Sequence, residues 1–156
     1  MKHLFYFCII LVSSNSLAES KWLIEMTWSD SWGSSGPGIS AISDGGLKIL
    51  EYTKDHKKKF ACPQLKLLAV DAKALETRIQ LIPVQIPGNS TLTINGRCDD
   101  DPQVSLIVRQ SYGFKQFIYP KQTGCRVNSD FPDWLVLLDT ELWSIFDKVK
   151  DCAKSP

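Results

Sequence analysis

Three consecutive carboxylates, Asp99, Asp100 and Asp101, follow Cys98 and lead through Pro102 into the apolar run QVSLIVRQ. Aspartates can ligate a hard cation, or two carboxyls can share acid and base work. A calcium loop takes its ligands from spaced positions, with a glycine at the sharp turn and a bidentate glutamate downstream. Adjacent side chains cannot all point at one ion. Asp-Pro is turn chemistry, and acidic groups stay solvated where a strand begins. The stretch therefore reads as a turn into a strand, with a cation site or a catalytic carboxylate pair as the rival readings.

Other reactive groupings are sparse. His56 sits in KDHKKK, residues 54–59, and any Ser-His-Asp or Cys-His system in the mature chain would have to use it. Its lysine-rich surroundings predict a solvated loop or edge-strand guard, not an oriented base. There is no G-x-S-x-G elbow, H-E-x-x-H, P-loop or dinucleotide fingerprint. The sequence thus names no catalytic, metal or cofactor residue and implies no cofactor. A glycosidase-type carboxylate pair can be assembled from distant positions, so a small carboxylate-dependent hydrolase is kept as an alternative.

The thiols bring compartment into the argument. Lys2 and His3, the apolar run Leu4 to Val12, and the small residues Ser16 and Ala18 read as a signal peptide over 1–18, cleaved after Ala18. That apolar run is too short to span a bilayer as a helix, and no later stretch is long enough. Cys8 falls inside the discarded segment, leaving Cys62, Cys98, Cys125 and Cys152. An even count in an exported chain predicts two disulfides. No pair has the close spacing of a zinc site. If the runs around Ser111-Tyr112-Gly113 form a hairpin, its centre coincides with the midpoint between Cys98 and Cys125. The open end then brings those two together and leaves Cys62 for Cys152. The rival pairing is Cys62 with Cys98 and Cys125 with Cys152.

The elements that must carry these groups follow from periodicity. KWLIEMTWS alternates and reads as a strand; ISAIS and LKILEYT read as strands joined at Asp44-Gly45-Gly46. KKFACPQLKLL reads as an edge strand broken at Pro63, or as a helix beginning there. Asp71 is placed as N-cap of a helix over 72–81. PVQIPGNSTLTINGR reads as connection; its Asn89-Ser90-Thr91 fits the N-glycosylation pattern. QVSLIVRQ and FKQFIY form the second hairpin. A final helix starts from Ser129 or Asp130 with Pro132 near its first turn, and its apolar stripe runs through Leu135, Leu138, Leu142, Ile145 or Phe146, and Val149. The predicted fold is a single α+β domain over 19–156, with an antiparallel sheet of about five to six strands, two helices on one face and two disulfides.

Without Lys2 the mature chain carries equal numbers of basic and acidic side chains, 17 of each, and no basic stripe, which argues against nucleic acid as partner. A contact surface is sought instead at Trp28, Trp32, Gly33 and Gly36, in and beside the loop DSWGSSGPG, and at Tyr112 on the hairpin tip. Trp134 and Trp143 are further aromatic candidates. The plainer alternative has Trp28 filling the core with Trp32 folded over it.

The order of SSGPG, ISAIS, the DGG turn, the leucine-spaced helix, VSLIVRQ with FKQFIY, and the terminal FPDWLVLLDTEL helix resembles the emfourin-type proteinaceous inhibitors of metallopeptidases. It is also similar to small exported bacterial proteins of unknown role. The four cysteines depart from the intracellular inhibitor, and the resemblance assigns no functional residue. It implies a protein inhibitor. With the export reading, the sequence points to a periplasmic or secreted protein that binds another protein, inhibiting a hydrolase or, as an immunity protein, neutralising a toxin. A passive envelope component is the remaining alternative.

Overall fold

The structure, a computed structural model, describes residues 21–29, 35–52, 58–62, 64–93, 102–111, 113–121 and 131–154. Its elements are β1 (Trp22–Ser29), β2 (Ser35–Ile42), β3 (Leu47–Tyr52), β4 (Lys58–Ala61), α1 (Ala69–Gln80), β5 (Ser90–Thr93), β6 (Gln103–Gln110), β7 (Gly113–Pro120) and α2 (Asp133–Val149), ending in a 3-10 turn, Lys150–Lys154.

The alternation in WLIEMTWS puts Trp22, Ile24, Met26 and Trp28 on one face of β1. The first three are buried, because β1 lies in mid-sheet between β2 and β6, antiparallel to both. The strand order is β4-β3-β2-β1-β6-β7-β5. Val104, Leu106 and Val108 of β6 and Phe117 and Tyr119 of β7 continue the same apolar face. Both helices lie against it. Leu75 and Ile79 of α1 and Leu135, Leu138, Leu142 and Ile145 of α2 join one buried cluster with the sheet residues. Truncating a fully buried member such as Leu138 to alanine costs about 2–5 kcal/mol.

The α+β architecture with two helices is as expected, but the sheet is not. It has seven strands, not five to six, and is mixed: β5 runs parallel to β7. β5 lies within the stretch taken as connection. STLT is four residues long, its last three are exposed, and an edge strand of that kind carries no alternating burial signal. Asn89 attaches it. With φ 57°, in the left-handed region that asparagine tolerates, its N–H donates to the Phe114 carbonyl at 2.6 Å and its Oδ1 accepts from the Phe114 N–H at 3.3 Å.

The helix starts also differ. α1 begins at Ala69, so Asp71 lies inside its first turn and not at the N-cap, which falls on Leu68 and has no side-chain cap. Asp71 instead crosses to α2 and accepts a hydrogen bond from Lys148 at 2.9 Å. α2 has Pro132 at its N-cap, again without a side-chain cap; Ser129 and Asp130 lie outside the described residues.

Cys62, which follows β4, is joined to Cys152 in the terminal 3-10 turn, with Cα atoms 6.2 Å apart. This is the pairing left over by the hairpin argument. It is the one disulfide among the described residues, against two expected; Cys98 and Cys125 lie outside them.

Candidate functional site

Register brings one end of the sheet into focus. Trp28, Val104 and Tyr119 form a row across β1, β6 and β7 on the helix-facing side. Lys121, two residues beyond Tyr119, follows on that side, and its N–H donates to the Pro102 carbonyl at 2.5 Å. Gly36 of β2 stands opposite Trp28 in the register. Having no side chain, it lets the indole lie directly over the strand: a Cβ at Gly36 would come within 1.9 Å of Trp28 Cε2. α2 crosses above and contributes Asp139 and Trp143, one turn apart.

Asp139 is the hub. Its Oδ1 accepts the Tyr119 hydroxyl at 2.6 Å and the Trp143 Nε1–H at 3.1 Å. The Trp143 ring is fixed further by an edge contact with Phe146, centroids 5.5 Å apart. Lys121 Nζ lies 4.4 Å from the centroid of Trp28 and 4.4 Å from that of Trp143, an ammonium held between two indoles.

The ionisation equilibria reflect burial first. Burial raises the Asp139 carboxyl above the usual aspartate range, against the opposing pull of the two hydrogen bonds and of Lys121. Burial, then the charge of Asp139 and the hydrogen bond to it, raises the Tyr119 phenol well above its ordinary value, so Tyr119 stays a neutral donor. Burial lowers the Lys121 ammonium, although Asp139 and Asp147 act to raise it. The group opens on a cleft of about 600 Å³ lined by Lys121, Asp139, Thr140, Trp143, Ser144, Asp147 and Lys148. Chemically it is an aromatic clamp for a positive charge, backed by carboxylates.

Of the residues singled out from sequence, Trp28 and Gly36 are brought together here. Trp28 is half-buried, closer to the plainer reading of it than to a freely exposed anchor. Trp143 belongs to the same group, while Trp134 packs edge-on against Phe117 at 5.0 Å. Trp32, Gly33, Tyr112, His56 and Asp99–Asp101 lie outside the described residues. Sequence reasoning missed Tyr119, Lys121 and Asp139. The signal was present for Asp139, a carboxylate inside the apolar stripe between Leu138 and Leu142. Among the described residues no three His, Cys, Asp or Glu side chains come together as a metal would need. No helix among them is long and apolar enough to cross a membrane.

The second face of the sheet over β1, β6 and β7 carries no helix among the described residues. Leu23, Thr27, Ser105, Ile107, Gln116 and Ile118 are half-buried there. Gln116 Nε2 donates to Ser105 Oγ at 3.0 Å, and the Arg109 guanidinium lies over the Phe114 ring at 5.6 Å.

The fold and site define a small disulfide-containing α+β protein with a mixed seven-stranded sheet. No protein family, curated protein or solved structure matches the chain.

Proposed function

We propose that this chain is an exported protein, periplasmic or secreted, that works by binding another protein, either as inhibitor of a hydrolase or as an immunity protein against a toxin. The observation that carries the reading is the second sheet face. Antiparallel strands with one face packed by helices, and the other without a helix among the described residues, form a rigid surface. Here that surface mixes Leu23, Ile107 and Ile118 with Thr27, Ser105 and Gln116 and with the charged Glu25, opposite Ile107, and Arg109, a mixture of apolar and polar groups like that of non-obligate interfaces. Its backbone is fixed by ladders on both sides, so little ordering entropy is lost on association. The Cys62–Cys152 bond is compatible with an oxidising compartment. The resemblance to emfourin-type inhibitors favours the inhibitor version.

The test is affinity capture from envelope and culture fractions of the source, using the mature chain beside two variants. Ile107→Glu places a charge on the open face, and Leu137→Glu does so on the exposed outer side of α2. One stoichiometric partner, retained by Leu137→Glu, lost by Ile107→Glu and losing its hydrolytic or toxic activity in the complex, is the expected result. Equal capture by all three proteins rejects the reading.

A carboxylate-dependent hydrolase is the second reading, favoured by the raised Asp139 carboxyl beside the cleft. Both hydrogen bonds to Asp139 end on the same oxygen and come from neighbours inside the fold, which fits a structural hub better.

A further inference from the structure

The walls of the clamp around Lys121 do not depend on Lys121. Trp28 is seated over Gly36, which leaves no room for another side chain beneath it. Trp143 is held by its hydrogen bond to Asp139 and by Phe146. Lys121 itself is anchored through its backbone to Pro102, and its ammonium forms no ion pair with a described residue. Only the flexible four-carbon stem carries the charge into the clamp, so it can swing out while both indoles stay in place.

We propose that the Trp28–Trp143 clamp is a binding site for a small quaternary ammonium compound, occupied in the free protein by Lys121 as a tethered stand-in. The dimensions fit: Nζ is 4.4 Å from each ring centroid, within the distance at which an aromatic face attracts a cation. The cleft of about 600 Å³ beside it gives access and room for the rest of a small molecule. Among the charged and titratable groups there, Asp139 attracts a cation, Asp147 does so while already paired with Lys150 at 2.7 Å, Lys148 is turned to Asp71, and Tyr119 is a neutral donor to Asp139. The choice of a quaternary ion follows from competition. A free primary amine would have to displace an identical group at high effective concentration. A quaternary ammonium has no N–H to desolvate and sheds water more readily, so it gains more from the indole faces. The displaced Lys121 regains hydration, and its ammonium is partly desolvated by burial in the clamp.

The experiment is a titration of the whole protein with tetramethylammonium and, separately, methylammonium, read from the indole N–H resonances. Wild type is expected to bind tetramethylammonium weakly, since a filled clamp lowers apparent affinity by the fraction left open. Lys121→Ala empties it and is expected to bind at least about tenfold tighter, with shifts at Trp28 and Trp143 and a clear preference over methylammonium. Circular dichroism checks that the variant is folded. A folded Lys121→Ala protein that binds no tighter than wild type, or that takes both ions equally, overturns the proposal. Adding Trp143→Leu to Lys121→Ala is expected to abolish the gain; a retained gain in the folded double variant also overturns it.

Discussion

At the scale of single residues, Asp139 makes the sharpest predictions. Asp139→Ala strands the buried Tyr119 hydroxyl and the Trp143 N–H, at a cost of about 2–3 kcal/mol by denaturant unfolding. Asp139→Asn keeps an oxygen able to accept both bonds and removes a buried charge, so its stability at neutral pH should stay within about 1 kcal/mol of wild type. The pH dependence has a definite sign. The Asp139 carboxyl is raised in the folded state, so its stabilising contribution is present in acid and is lost as pH rises from the ordinary aspartate range through the raised value. Asp139→Asn should flatten that decline in a pH series of unfolding curves. Gly36→Ala drives a methyl into the Trp28 indole and should cost about 1–3 kcal/mol while shifting tryptophan fluorescence. Part of this was legible from sequence: Trp28 and Gly36 were singled out, and Asp139 interrupts an apolar stripe. Lys121 was not legible, because what brings it to two indoles is the end of a strand meeting a helix, contacts with no local pattern.

At the scale of elements, strong periodicity was enough and weak periodicity was not. β1, the β6–β7 hairpin and α2 repeat apolar residues at the spacing of their structure, and all three were found. β5 has only four residues, mostly exposed, and exists because Asn89 ties it to the head of β7. Asn89→Ala should therefore cost about 1–2 kcal/mol and speed amide exchange selectively in Ser90–Thr93. Asp71 has the chemistry of a cap, yet α1 starts at Ala69 and the Asp71 carboxylate is used across the interface with α2, toward Lys148. Such a long-range partner is invisible to a reading of adjacent residues.

At the scale of the whole molecule, cysteine arithmetic and hairpin geometry together pointed to the cross-link between Cys62 and Cys152, which closes a 90-residue separation. In the chain-entropy account a loop of that size stabilises by about 4–5 kcal/mol, so Cys62→Ser with Cys152→Ser should unfold at markedly lower denaturant than the oxidised parent. Fold class was legible because hairpins interrupted by helices specify a layered α+β body. Strand number was not, since an edge can recruit a short polar segment. The proposed binding role rests on the sheet face that carries no helix among the described residues, which no local sequence signal marks. The most direct test of that claim is the dissociation constant of the purified partner, measured by calorimetry for wild type, Ile107→Glu and Leu137→Glu. A loss of about 100-fold or more for Ile107→Glu, with Leu137→Glu close to wild type, is the predicted result. Full affinity in Ile107→Glu, or a loss confined to Leu137→Glu, would contradict it.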